Sequence, residues 1–348
     1  MKNIMSIDLG KFKSVVCFYN VKSCKATYKS FKTNPQELHD LVVSHPVDFI
    51  VFEACDIIGW ICDLLDNLEL KYEVANTNTG EWSGRKLKKK TDKKDALWLA
   101  KRAALGDLST VYVPKKEIRE KRSLINYRQS LTERITQVKN TIRSILNSQA
   151  YSLPSGRKCW SKQNIEQLRG MAMPMDEVKP DELWKGILWS ELVSLELLID
   201  KLQVIEDKLE ELNSSDEKVK LLQTVPGVGP RLAEAVVAYI DDPHRFKNCK
   251  QVGSYIGMTP RQYQSGNTDR HGRISKFGNR LLRALLVEVC WLGLRWNPWI
   301  KETYERIKRS SKTRAKIAIV ATARRLFVRL WAMMRDGAGW QMPELQSI

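Results

Sequence analysis

NIMSIDLGKFKSVVCFYN, residues 3–20, holds two apolar runs separated by a short polar stretch around Gly10. Residues 3–9 and 14–20 therefore read as two strands joined by a tight turn, and residues 25–32, where apolar and polar side chains alternate, as a third. Residues 35–44 fit a helix with Pro35 in its first turn, and 49–53 is the short apolar run of a buried strand. Residues 57–68 read as helix and 71–75 as strand. Residues 91–105 read as a helix, with Thr91 placed to cap its start and Gly106 just past its end. Three strands followed by helix, strand, helix, strand and helix make residues 1–110 an α/β domain.

Beyond residue 110 the apolar period changes. Ile135, Val138, Ile142 and Ile145 step by three and four, as do Leu188, Leu192, Leu195, Ile199 and Leu202, continuing through Ile205, Leu209 and Leu212. Residues 111–215 thus predict two long amphipathic helices, an antiparallel coiled-coil hairpin that either packs on itself or offers a surface for dimerisation. Its tip, 151–182, carries Pro154, Gly156, Gly170, Pro174 and Pro180 and reads as loop or partner-dependent structure. Residues 216–340 predict a mostly α-helical domain. VPGVGPRLAEAVVAYI, residues 225–240, is a turn between two helices, 257–278 is a Gly-rich loop, and three basic, aromatic-rich helices run to about residue 335.

Charge bounds the function. The 348 residues carry 58 Lys and Arg against 40 Asp and Glu, a net +18, an excess that points to a polyanionic partner. No stretch approaches the ~18–20 apolar residues of a membrane span, and the N-terminus lacks the apolar core of a signal peptide, so a cytoplasmic protein is expected. Seven cysteines form no C-x-x-C pair, and none of the four histidines stands at zinc-ligand spacing from a cysteine. A metal, if held, must be held by carboxylates.

The candidates are distributed along the first domain, whose element order resembles that of ribonuclease-H-like domains. Asp8 ends the first strand, Glu53 ends the buried strand VFEA, and Asp92 and Asp95 lie three apart on one helix face. In a ribonuclease-H-like sheet the first and fourth strands are neighbours and the last helix packs on them, which would bring the four acids together. Such a cluster is unfavourable without a cation, and hard oxygen donors suit Mg²⁺ or Mn²⁺, which can activate an attacking oxygen in phosphodiester cleavage. Taken singly, Asp92 reads as a helix N-terminal charge and Asp95 as a solvated residue. Beside them, residues 85–94 concentrate Arg85, Lys86, Lys88, Lys89, Lys90 and Lys93, read either as a solvated loop or as phosphate contacts. PGVG at 226–229 has the form of a helix-hairpin-helix segment, whose glycines admit a phosphate to a helix N-terminus, although any helix hairpin needs glycine. Around the Ser265-Gly266 dipeptide stand Arg261, Arg270, Arg273, Lys276 and Arg280, cations of the kind that neutralise an attacked phosphate. From spacing alone, Ser265 is a turn residue.

IDLGK, FEA, KKTDKKDA, PGVG, GMTPRQYQSG and SKFGNRLLR, in this order, resemble the DEDD-type insertion-sequence transposases, relatives of the pilin-gene invertases, over nearly the whole chain. The resemblance implies a RuvC-like N-terminal domain in which Asp8, Glu53, Asp92 and Asp95 bind Mg²⁺. It implies a coiled coil that assembles homodimers or homotetramers, and a C-terminal transposase domain whose serine, by position Ser265, attacks the DNA phosphate. It further implies a structured non-coding guide RNA beside the DNA partner. One departure stands out: the family continues Ala-Thr-Gly after the glutamate, whereas this chain reads Ala54-Cys55-Asp56-Ile57. Two other readings remain at this point, a metal-only RuvC-like junction nuclease that needs no serine, and a non-catalytic nucleic-acid-binding scaffold.

Each phosphate neutralised adds ~0.9 to the slope of log K against log salt for duplex DNA. Neutralising Lys88, Lys89 and Lys90 together is expected to flatten that slope in a salt titration of DNA binding. An unchanged slope would make residues 85–94 a solvated loop.

Overall fold

The computed structural model describes residues 3–76, 91–265 and 268–341. The chain divides into two compact units, residues 1–119 and 120–348. In the first, β1 (Asn3–Asp8), β2 (Lys13–Asn20) and β3 (Lys25–Lys32) form an antiparallel meander. β4 (Phe49–Glu53) joins parallel to β1, and β5 (Tyr72–Ala75) parallel to β4, giving the order β3-β2-β1-β4-β5. The central strands are buried on successive residues, Ile4 to Ile7 and Phe49 to Phe52, because helices cover both faces of the sheet. β3 is mostly exposed and carries Lys25, Lys29 and Lys32, charges that discourage further strand pairing.

Strand alternation sorts the core into two layers. On one face Met5, Ile7, Val16, Ile50 and Phe52 pack against α1 (Pro35–Ser44) and α2 (Ile58–Asn67). On the other, Ile4, Cys17, Phe49 and Val51 pack against Ala96, Leu99, Ala100 and Ala103 of α3 (Asp92–Leu105). α1 begins as its sequence predicts, with the Asn34 side chain accepting from Glu37 N–H at 2.8 Å and Pro35 in the first turn. α3 ends at Gly106 with φ 69°, also as expected, but its start differs. Thr91 holds the capping position in extended backbone, yet its side chain makes no capping hydrogen bond. Asp92 and Asp95 supply the favourable negative charge of that first turn instead.

In the second part of the chain, α4 (Lys116–Ser148) and α6 (Leu183–Ser214) share one buried cluster. It joins Ile135, Ile142 and Leu146 to Leu188, Leu192 and Leu195. Leu168 completes the cluster from α5 (Lys162–Met171), so residues 151–182, expected as loop, contain a helix. Ser161 caps it, accepting from Asn164 N–H, and the proline and glycine signals lie at or outside its ends. α7 (Glu217–Gln223) and α8 (Pro230–Ile240) follow, with every residue from Leu232 to Ile240 buried. α9 (Cys249–Tyr255), α10 (Arg280–Gly293), α11 (Pro298–Lys308) and α12 (Ala315–Asp336) complete this core, which α12 enters with Ala323, Leu326, Phe327 and Leu330. A buried Arg128–Glu234 ion pair ties α4 to α8, and Asn213 of α6 donates to Glu234 at 2.5 Å. Residues 257–278 are not a loop: β6 (Pro260–Ser265) and β7 (Thr268–Ile274) pair there as an antiparallel ribbon. No helix among the described residues is long and apolar enough to cross a membrane.

The two faces of α6 differ in a testable way. Leu195 is fully buried, whereas Leu197 and Val204 are 53% and 66% exposed. Leu195→Glu is expected to lower the melting temperature sharply, by uncompensated charge burial, while Leu197→Glu with Val204→Glu, at exposed positions, should lower it far less. Thermal melts followed by circular dichroism read the difference.

Candidate active site

The parallel register of β1 and β4 pairs Ile7 with Phe52, so Asp8 and Glu53 are the next residues on adjacent strands, at the same end of the sheet. Neighbouring strands lie about 4.8 Å apart. By alternation both acids occupy the face that carries Ile4, Ser6, Phe49 and Val51, the face covered by α3. Ser6 fixes the helix there, its buried hydroxyl donating to the Ala96 carbonyl at 2.6 Å. Asp95, adjacent to Ala96 in the first turn, is 3% exposed, contrary to the solvated position it suggests when read singly. Asp92, one turn back, is exposed. The fold therefore brings Asp8, Glu53 and Asp95 to one face and one end of the sheet, with Asp92 outside them.

Hard carboxylate oxygens suit a divalent cation in chemistry. As the side chains stand, no three acidic, histidine or cysteine groups among the described residues gather closely enough to hold one. Cys55, where the sequence departs from Ala-Thr-Gly, keeps its thiol protonated at neutral pH. Burial raises its pKa first, and the Asp56 and Glu53 carboxylates push in the same direction. Lys93 is exposed on α3, its ammonium 5.8 Å from the Tyr28 ring centroid. Arg85, Lys86, Lys88, Lys89 and Lys90 lie outside the described residues.

Ser265 is the last paired residue of β6, opposite Thr268, followed inward by the pairs Gln264–Asp269 and Tyr263–Arg270. The turn residues Gly266 and Asn267 lie outside the described residues. Arg261, Arg270, Arg273 and Lys276 are all exposed around this ribbon. Arg261 donates to the Ser275 carbonyl at 3.2 Å and stacks on Phe277 at 5.6 Å, which holds its stem against the ribbon's root. Asp269 accepts from Gln262 at 3.4 Å.

The root is pinched by two glycines. A Cβ on Gly257, at φ +65°, would stand 2.7 Å from the backbone of Phe277, and one on Gly278, at φ +148°, 2.2 Å from the Tyr255 carbonyl. Arg283 clamps the same place, donating to the carbonyls of Ile256 at 3.0 Å and Gly278 at 2.8 Å. These positioning residues carry no sequence signal beyond the glycines themselves. PGVG forms the α7–α8 turn, with Gly227 at φ +91° and Gly229 preceding Pro230 at the exposed start of α8. Asn297 braces it, its amide donating to the Pro226 carbonyl at 2.9 Å.

Residues 5–150 match the transposase model of the DEDD, IS110 type, and residues 219–305 that of the transposase IS116/IS110/IS902 family. A Sinorhizobium fredii protein that carries a transposase name, y4rJ, is 29% identical over 315 residues, 83% of this chain and 77% of that protein. The transposase for insertion sequence element IS1111A of Coxiella burnetii is 28% identical over 225 residues, 62% of this chain and 60% of that protein. The pilin gene-inverting protein of Moraxella lacunata is 29% identical over 121 residues, 34% of this chain and 37% of its own. The chain belongs to the DEDD-type insertion-sequence transposases and is an enzyme of the DNA transposase/recombinase class.

Gly278→Ala forces both a clash with backbone and a φ that side-chain-bearing residues rarely adopt. Amides of β6 and β7 are expected to lose hydrogen-exchange protection in this variant while the α8 core keeps its own. Gly170→Ala, where a Cβ meets nothing within 4 Å, is the control and should be neutral or stabilising. Unchanged protection in Gly278→Ala would mean that the ribbon's root tolerates a side chain.

Proposed function

We propose that this transposase breaks and rejoins DNA strands with Ser265 as nucleophile, aided by a Mg²⁺ or Mn²⁺ site made of Asp8, Glu53, Asp95 and Asp92. The observation that carries the reading is the β1–β4 register, which sets Asp8 and Glu53 side by side on the face that α3 covers with Asp95. A bound divalent ion would withdraw charge from a phosphate oxygen and lower the pKa of an attacking hydroxyl. Like-charged carboxylates sharing one edge favour such an ion.

Ser265 stands at the end of a rigidly rooted ribbon among exposed guanidiniums, which suit the extra negative charge of an attacked phosphate. Its hydroxyl oxygen forms a bond to phosphorus while the bond from phosphorus to the departing sugar oxygen breaks. The serine proton leaves to a base, and the departing oxygen gains one. Attack by the hydroxyl of a second DNA end on the phosphoserine reverses these changes and rejoins the strands without an energy source. A structured non-coding RNA as guide follows from the family resemblance and is consistent with the +18 net charge. In functional terms residues 1–110 form the metal-dependent part, 111–215 the assembly hairpin and 216–340 the serine-bearing part. Assembly into a homodimer or homotetramer would use the outward face of α6, where Leu183, Ile187, Val193, Leu197 and Val204 are exposed. A smaller particle in light scattering for the Leu197→Glu and Val204→Glu variant is its expected result.

Denaturing electrophoresis of the protein with labelled DNA and Mg²⁺ tests the chemistry. A covalent protein–DNA adduct is expected, absent in Ser265→Ala and lost with cleavage in Asp8→Asn. Normal cleavage by Ser265→Ala with no adduct in either protein would establish a metal-only nuclease instead. Binding without cleavage by any form would make the chain a scaffold.

A further inference from the structure

A cleft of about 680 Å³ opens between α9, α11 and α12. Lys250, Arg324, Arg325 and Arg329 line it, and no acidic residue does so among the described residues. Trp299 forms its apolar wall, and Thr259, the residue immediately before β6, closes one side. The cations are held in place by packing. Arg329 lies against two rings, those of Trp299 at 4.7 Å and Trp340 at 5.0 Å. Arg324 runs across Gly253, where even a Cβ would touch its Cδ at 3.4 Å, so the absence of a side chain there lets the arginine lie flat.

Four cations with no lining carboxylate repel one another, and a polyanion relieves that repulsion. Burial lowers the pKa of Arg325, and the neighbouring Arg306 and Arg324 add to the effect. The volume exceeds what one inorganic phosphate fills and admits a sugar-phosphate segment, with Trp299 beside it. The six residues of β6 separate Thr259 from Ser265, a span of at most about 20 Å at ~3.3 Å per residue. Nucleotides advance 3.4 Å each along a B-form strand, so that distance corresponds to about six base pairs.

We propose that this cleft is a second anchor for the DNA backbone, in which Lys250, Arg324 and Arg325 contact phosphates of the same strand within about six base pairs of the one presented to Ser265. Arg329 and Trp299 form its wall. The proposal rests on the serine reading for the strand's position, but its readout is binding and not chemistry.

Two measurements on the full chain test it. Arg324→Gln with Arg325→Gln is expected to lower the salt slope of duplex binding by about 1 to 2, at ~0.9 per phosphate, with an unchanged melting temperature. Ser265→Ala should keep the wild-type slope, so failure of the nucleophile reading and failure of this one are separable. The second measurement uses unmutated protein: Cys249 is exposed at the cleft's lip, and Cys24 is exposed in the other unit. Duplex DNA should slow maleimide alkylation of Cys249 several-fold more than that of Cys24, resolved by peptide mass. An unchanged slope in a folded double variant, or Cys249 alkylated at the same rate with and without DNA, overturns the proposal. Protection by a single-stranded RNA oligonucleotide and not by duplex DNA overturns its assignment to DNA.

Discussion

The first unit depends on a parallel pairing between strands whose paired residues are 45 positions apart, Ile4 with Phe49 through Ile7 with Phe52. Parallel strands cannot be joined by a tight turn, so the chain needs a longer connection, here through β2 and β3 of the same sheet and then α1 on its face. β1, antiparallel to β2 and parallel to β4, lies in the middle of the sheet and is buried at four successive residues. That burial requires a helix layer on each side. α3 supplies the second layer, and the hydroxyl of Ser6 sets its longitudinal position. Once these conditions are met, the ends of β1 and β4 coincide and the first turn of α3 lies over the same face. Asp8 and Glu53, from distant segments, then end side by side on the face that α3 covers with the buried Asp95.

The second unit meets a different constraint. A two-stranded ribbon is marginally stable by itself, and β6 and β7 carry almost no apolar side chains with which to pack. Its rigidity comes from the root. Gly257 and Gly278 allow two backbone segments to approach more closely than any side chain would permit, and Arg283 bonds to both. Asn279 then caps α10, accepting from Leu282 N–H at 2.9 Å, so the ribbon leads directly into a helix whose Leu282 and Leu286 are fully buried. The ribbon is held in this way without being part of the core.

Charge is distributed by the same logic. The Arg128–Glu234 pair is buried and receives a further hydrogen bond from Asn213, as a charge pair removed from water requires. Around the ribbon and in the cleft beneath it, by contrast, cations stand exposed or line a concave surface without acidic neighbours in the lining. The positive excess is thus placed where a polyanion can reach it.

Local chemistry made much of this legible in the sequence alone. β3, α1 and β4 occur at the boundaries their residues predict, because short apolar runs, Pro35 in a first turn and Gly106 after Leu105 act within a few residues of themselves. The two long helices follow for the same reason, from the spacing of Ile135 and Ile142 and of Leu188, Leu192 and Leu195. PRQYQS and TDRHGRI were illegible as strands, since they lack the apolar alternation that marks one, and their pairing is stabilised by a root formed at residues 255–257 and 276–283. The helix of 162–171 was hidden among prolines and glycines, of which Pro154, Gly156, Pro174 and Pro180 lie outside it and Gly170 in its last turn. Which acids share an edge, that Asp95 is buried, and that Lys250 joins Arg324 and Arg325 around one cleft depend on strand register and helix packing. A sequence states which groups are present, whereas proximity between residues far apart in the chain is produced only when burial of the apolar surface between them fixes their positions.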